Sequence, residues 1–428
     1  MKFKADQASA KEMDLQDPIA GFREKFVVSD PDLIYLDGNS LGRLPESTLP
    51  HLEHAAKHQW GDQLIRSWNQ GWFRKPQALG ARLAELIGAE EDEVLICDTT
   101  CINLFKLTIA ALRSKTDRKK IVSDELNFPS DLYVFQGAAD LLGDDRSLEV
   151  IQSTDSIKIN YSDLKQAVGV DTALLALTHV AFKSAFMYDM EKTTRIAHQA
   201  GALMLWDLSH SVGAVPVDLN SCGADLAVGC TYKYLNGGPG SPAFLYVRKE
   251  LQEELIPAIW GWFGTKDPFE FNLDYETGEG ISRFLVSTPH MLSMLALEPA
   301  LDIMLEAGID RLREKSITQT EYLIFLFEER LKELGFKLGS PRDAGQRGSH
   351  VSLRHPEAYR ICQALISPLP DENAPTVIPD FRSPDNIRLG IAPLYTRYQD
   401  IYRALERLGQ IVQEKIYLKY PEERSAVT

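Results

Sequence analysis

No apolar run in this chain is long enough to cross a bilayer, and the opening MKFKADQASAKEMDLQD lacks the apolar core of a secretory signal. Both absences point to a soluble, cytoplasmic protein with no membrane partner. Cysteine is scarce: Cys97, Cys101, Cys222, Cys230 and Cys362 are the five in 428 residues. An odd count without a C-x-x-C pair argues against a disulfide framework or a zinc site and fits a reducing compartment. Positive charge is also short, with 46 Lys and Arg against 61 Asp and Glu, a net charge of −15. The basic face of a nucleic-acid binder is therefore not expected. No repeat or low-complexity tract is present. His51, His54 and His58 share helical spacing beside Glu53 but read as a solvated helix face, so no metal is expected.

What is there is a large core. The chain is 44% hydrophobic and 25% charged, enough for two or three domains or a large domain with a smaller partner. Short apolar runs at 121–125, 173–180, 202–208 and 225–231 read as buried strands. Helical patterns at 131–142, 162–168 and 191–200 lie between them, after earlier ones at 47–68 and 76–88. Such alternation predicts an α/β fold with a mainly parallel sheet covered by helices. From about 289 long helices take over, then a mixed tail. The expected plan is an N-terminal arm over 1–60 that joins a small domain, a large α/β domain over 61–288, and a small α+β domain over 289–428. The acidic EEDE (90–93) reads as a solvated loop before the strand VLIC.

In an open parallel sheet, ligands bind at the carboxyl ends of the strands. Asp207 ends ALMLWDL, and Lys233 follows DLAVGCT 26 residues later, about one strand–helix–strand step. A lysine that forms a Schiff base and a carboxylate that keeps a pyridine nitrogen protonated are the two groups pyridoxal phosphate needs. Taken alone, the pair equally fits a capping aspartate and a solvated lysine. DTTCINLF (98–105) places small hydroxyl residues at the start of an amphipathic run, a helix N-terminus suited to phosphate or an ordinary cap. NFPSD (127–131) offers an aromatic that can stack on a planar ring. GWFG (261–264) sets an indole N–H between glycines. Gly237, Gly238 and Gly240 let the chain turn sharply after Lys233.

Taken together, these blocks resemble the kynureninase family. The resemblance runs from YLDGNSLG (35–42) through TTCINLF, FPSD, LTHV, DLSHSVGAVP, YKYLNGGPG, GWFG and VSTP to NIRLGIAPLY (386–395). It implies the fold-type-I architecture of pyridoxal-phosphate enzymes and hydrolysis of the Cβ–Cγ bond of L-kynurenine to anthranilate and L-alanine, in tryptophan catabolism and NAD biosynthesis. It implies that Lys233 carries the cofactor and moves the α-proton, and that Asp207 pairs with the pyridine nitrogen. Phe128 would stack on the ring, with Pro129, Ser130, Asp131, Thr178 and His210 around it. Thr100, Cys101, Tyr232, Trp262 and Thr288 would hold the phosphate. Arg388 would grip the substrate α-carboxylate, a task suited to its planar fork, with Ser40, Trp68 and Ser287 also on the substrate. A homodimer with a shared site is implied, which lets Trp262 and Thr288 come from the partner chain. Cys101 departs from the family's Ser or Thr. Trp68 and Thr288 match the type that prefers L-kynurenine over 3-hydroxykynurenine. Tyr232, beside Lys233, is the candidate acid for Cβ, with a pKa expected to be drawn down by neighbouring cations.

The rival enzymes are class-V aminotransferases and cysteine desulfurases. Those place His before the lysine, where this chain has Tyr232, and a desulfurase needs a mobile reactive cysteine, whereas Cys362 sits in a helical pattern. A non-catalytic sensor of the same fold would carry a basic DNA-binding module, which is not seen. The polar loop 265–280 is a candidate cover for the site.

Overall fold

The computed structural model describes residues 3–143, 145–370 and 372–423. Helix α1 (Gln7–Leu15) starts where the Asp6 side chain accepts from Ser9 N. Strand β1 (Ile34–Tyr35) follows, then α2 (Thr48–His54). The single helix expected over 47–68 is instead broken. π-helical turns carry 55–63, and Leu64, at φ 56°, starts a short 3-10 stretch to Trp68. The polar AAKHQWGDQ offers no apolar stripe to hold a regular helix there. Helix α3 (Lys75–Ile87) ends at Gly88 in the left-handed region.

Among the described residues the central sheet has seven strands: β2 (Val94–Ile96), β3 (Lys120–Asp124), β4 (Ser147–Ile151), β5 (Thr172–Thr178), β6 (Leu203–Asp207), β7 (Leu226–Gly229) and β8 (Phe244–Val247), in the order β2-β8-β7-β6-β5-β3-β4. The pairs from β7 through β6, β5 and β3 to β4 are parallel; β8 runs antiparallel to both its neighbours. Helices α4 (Thr100–Ser114), α5 (Pro129–Leu142), α6 (Tyr161–Ala167) and α7 (Met190–Ala200) cover it. Every residue of β5 and β6 is buried, because both faces are covered. From Leu174 onward the sides alternate: Leu174, Ala176 and Leu205 join one core, Leu175, Leu177 and Met204 the other. Each such leucine contributes roughly 1.5–3 kcal/mol by leaving water. The edge strand β4, SLEVI, is half exposed, so its polar alternation hid it among loop residues. Glu93 of the acidic cluster is buried, not solvated, and accepts from the Glu90 and Lys249 amides at 2.9 and 2.7 Å.

The long helices α8 (Met291–Ala307) and α9 (Ile309–Arg330) lead into an antiparallel sheet of β9 (Lys337–Leu338), β10 (His350–Arg354), β12 (Asp380–Arg382) and β13 (Asn386–Gly390). Helix α10 (Ala358–Ile366) packs on it, α11 (Tyr398–Gln413) packs against α9 and α1, and β11 (Val377–Ile378) pairs with β1 in parallel. Ala10, Met13, Ile34 and Leu36 of the arm share a core with this part. Packing of α8 is different: Met294, Leu297, Leu301 and Met304 belong to a core of the central sheet.

Candidate active site

Residues 35–42 pass between the two parts. Gly390 N donates to Leu36 O at 2.7 Å on one side, and Gly42 N donates to Tyr232 O at 2.8 Å on the other. A Cβ on Gly42 would lie 2.4 Å from Lys233 O, so this approach needs glycine. The segment walls a cavity of about 290 Å³ at the carboxyl ends of β5, β6 and β7. Asp207 ends β6 and Thr178 ends β5; Tyr232 and Lys233 follow β7; Phe128, Ser130 and Asp131 start α5; Thr100 and Cys101 start α4. Arg388 enters from β13. All of these line the cavity, as do Ser40 and His210.

Local chemistry sets each group. Helix α4 begins where the Thr99 side chain accepts from Ile102 N, leaving the first amides at the cavity. Pro129 fixes the first turn of α5 and aims Phe128 outward. The Phe128 ring meets Phe182 edge-on at 5.1 Å, and Lys233 Nζ lies 6.0 Å from its centre. Lys233 Nζ is 3.0 Å from His210 Nε2. Burial first, then the charge of Lys233, holds the His210 imidazole well below its usual pKa, so it is neutral and accepts from the ammonium. Asp207 is buried, and its Oδ1 accepts from both Ser209 N (2.9 Å) and Ser209 Oγ (2.6 Å). Burial raises the Asp207 pKa, while Ser209 and Lys233 oppose it. Asp131 is pushed up further, by burial and then by the charge of Asp207. Its Oδ2 and the Nδ1 of His210 are buried without protein partners.

Tyr232 corrects an expectation. Its phenol pKa is raised rather than drawn toward neutrality, by burial first and then by Cys230, Asp207 and Cys101. Lys233 Nζ, 5.9 Å from the ring centre, does not outweigh them. The phenol thus stays protonated at neutral pH.

This donor set fits pyridoxal phosphate. A buried carboxylate steadied by two hydrogen bonds suits a ring N–H, the lysine lies within the same cavity, free helix amides suit a phosphate, and two orphaned polar atoms await partners.

Five expected residues do not line the cavity within one chain. Pro129 sits just behind it. Trp68 packs against Trp72 and Phe263, with ring centres at 5.8 and 5.9 Å, and Trp262 lies on Phe263 at 4.3 Å. Ser287 and Thr288 are exposed. Trp262 is exposed too, as are Trp260 and Phe271. Four lining residues escaped sequence reasoning: Asn39, Phe182, Ser209 and Arg382. Ser209 carried a signal, standing two residues after Asp207 at a strand end. Arg382 carried none, since only strand pairing brings it in. Cys362 is fully buried in the C-terminal core.

Comparison with known proteins follows the same lines. A profile of the kynureninase C-terminal domain matches residues 312–408. The chain is 43% identical over 410 residues to a kynureninase of Pseudomonas fluorescens, covering 95% of each. It is 44% identical over 423 residues to one of Burkholderia mallei, covering 97% of this chain and 98% of the relative. Among solved structures, the apo cysteine desulfurase of Thermococcus onnurineus superposes with a TM-score of 0.77 at 19% identity, over 92% of this chain and 98% of that one. A C-DES mutant with glycine covalently linked to the PLP cofactor gives 0.76 at 18% identity, over 90% and 98%. At these identities the structural likeness establishes the fold, which is fold type I.

Proposed function

The chain belongs to the kynureninase family, and from that premise we propose how its residues divide the work of the reaction. It hydrolyses the Cβ–Cγ bond of L-kynurenine, giving anthranilate and L-alanine, and uses pyridoxal 5'-phosphate. When bound, the cofactor supplies an aldehyde for the substrate amine and a ring that takes up carbanion charge. Lys233 would hold the cofactor through Nζ and would move the proton at the substrate Cα. Neutral His210 accepts from Nζ and keeps it aimed. Asp207, fixed by Ser209, would keep a proton on the ring nitrogen. Phe128 would cover a ring face, with Pro129, Ser130, Asp131 and Thr178 around it. Thr100, Cys101 and Tyr232 would receive the phosphate, Cys101 through its backbone N–H. Arg388 binds the α-carboxylate beside Ser40. Tyr232, protonated at neutral pH, gives its proton to Cβ.

Trp262, Ser287 and Thr288 complete the neighbouring site in a homodimer, and Trp68 travels with them through Phe263. Their exposed surface, away from their own cavity, supports this. Trp68 and Thr288 give a site that gains little from a ring hydroxyl, so L-kynurenine is preferred over 3-hydroxykynurenine; equal kcat/KM on the two would remove this reading. We place the enzyme in the cytoplasm and in tryptophan breakdown leading toward NAD.

The carrying observation is that Lys233, Asp207 and Arg388 share one cavity. The test is to incubate the cofactor-loaded protein with L-kynurenine and assay anthranilate and L-alanine. Equimolar products, lost in Lys233→Ala, are expected. Retained turnover in that variant would overturn the assignment of Lys233.

A further inference from the structure

Arg382 has no part in the roles above, yet it lines the same cavity as Arg388. Asp380 and Arg388 are direct partners across β12 and β13, and Arg382 stands two residues along β12, on the same face as Asp380. One oxygen joins all three. Asp380 Oδ2 accepts from Arg382 Nε at 2.6 Å and lies 2.7 Å from Arg388 Nη2. Asp380 is itself buried and does not line the cavity, so it anchors two guanidinium groups from behind the wall.

The two arginines differ in how many donors remain. Arg388 is 1% exposed. Its Nη1 donates to Phe182 O at 2.8 Å and its Nη2 to Ser40 Oγ at 2.6 Å. Arg382 is about one-third exposed, and its contacts with Asp380 all run through Nε. Among the described residues its two Nη nitrogens have no hydrogen-bond or ion-pair partner; the guanidinium carbon stands 6.0 Å from the Phe182 ring centre. Asp37, with Oδ1 3.8 Å from Arg388 Nη2, adds a second carboxylate. Two carboxylates thus face two guanidinium groups, and an arriving anion finds unengaged N–H donors chiefly on Arg382.

We propose that Arg382 is a second substrate-binding arginine, anchored by Asp380, which shares the α-carboxylate of the substrate with Arg388. This rests on the reading of Arg388 as the carboxylate-binding residue. A purely structural Arg382 would serve only to neutralise Asp380, a task Arg388 already performs at the same oxygen.

The test is Arg382→Gln in the cofactor-loaded enzyme, with two binding probes measured by calorimetry. L-alanine carries the α-carboxylate; kynuramine is the amine without it. One charge-assisted hydrogen bond is worth a factor of about 10 or more in affinity. L-alanine binding is expected to weaken by about that factor while kynuramine binding stays unchanged, and KM for L-kynurenine is expected to rise with kcat nearly constant. Equal weakening of both probes, or no change in either, overturns the proposal. A loss of pyridoxal phosphate affinity with L-alanine binding intact would assign Arg382 to the phosphate and overturn it as well. Failure of the Arg388 reading shows separately, as unchanged L-alanine affinity in Arg388→Gln.

Discussion

Ser209→Ala isolates the electrostatics of the cofactor site in one atom. Ser209 Oγ donates to Asp207 Oδ1 at 2.6 Å, and both side chains are about 95% shielded from water. Burial raises the carboxyl pKa of Asp207, and the Ser209 hydroxyl is the first of the groups that lower it. A hydrogen bond to a charged group contributes about 1.5–3 kcal/mol, and one pKa unit corresponds to about 1.4 kcal/mol. Deleting the hydroxyl should therefore raise the Asp207 pKa, because burial then meets less opposition. The backbone N–H of Ser209 stays in place at 2.9 Å, so the carboxylate keeps its position. Only ionised Asp207 can hold a ring proton as its counter-ion. The acid limb of the kcat/KM profile for L-kynurenine should then move to higher pH, with the plateau at high pH reduced much less. Anthranilate fluorescence across pH 5–9 measures it. An acid limb that stays in place would refute the claim that Ser209 keeps Asp207 ionised. A uniform loss at every pH would show misplacement rather than titration.

Three further outcomes are expected. Gly42→Ala would drive a Cβ against Lys233 O and Asn236 Oδ1, each at 2.4 Å. Loss of about 1–3 kcal/mol of stability and weaker cofactor retention should follow, measured by thermal melting and cofactor absorbance; an unchanged melt would contradict the close approach. Asp124 is fully buried, and burial pushes its pKa up to about 6 despite hydrogen bonds from Tyr188, Leu126 and Asn127. The unfolded chain then holds fewer protons than the fold between pH 4 and 6, so this group's contribution falls by about 3 kcal/mol as pH rises through that window. Asp124→Asn should remove that slope in urea unfolding at pH 4 and 7.5; a parallel pH response would count against it. Finally, mixing inactive Lys233→Ala with inactive Trp262→Ala chains should restore activity through hybrid dimers, and its absence would show that Trp262 does not serve the neighbouring site.

Much of this site was legible because it is built from local blocks. Asp207, Thr178 and Lys233 stand at or just beyond the ends of apolar runs, and a parallel sheet brings such ends together. Thr100 and Phe128 stand where capping residues announce helices. What stayed hidden depends on pairing between distant segments. Arg382 reaches the cavity only because β12 lies beside β13 in one particular register. Phe182 sits in a loop whose place is set by hydrogen bonding of its carbonyl to Arg388. The pKa of Tyr232 was misjudged for a related reason. Its sequence neighbour is a lysine, but the fold surrounds the phenol with burial, Cys230 and Asp207. Spacing tells which side chains stand near each other along the chain, and nothing of the dielectric they share.

The segment of residues 35–42 that walls the cavity has a consequence for biosynthesis. Ser40 and Arg388 meet across 348 positions of chain, and Ile34 pairs with Val377. During translation the first of these segments leaves the ribosome long before its partners exist. Residues that form the central sheet can assemble in the meantime, but the carboxylate subsite cannot. The proposed substrate subsite is therefore complete only after residues 377–390 emerge: Gly42 can meet Tyr232 by mid-synthesis, but Ser40 must still wait for Arg388.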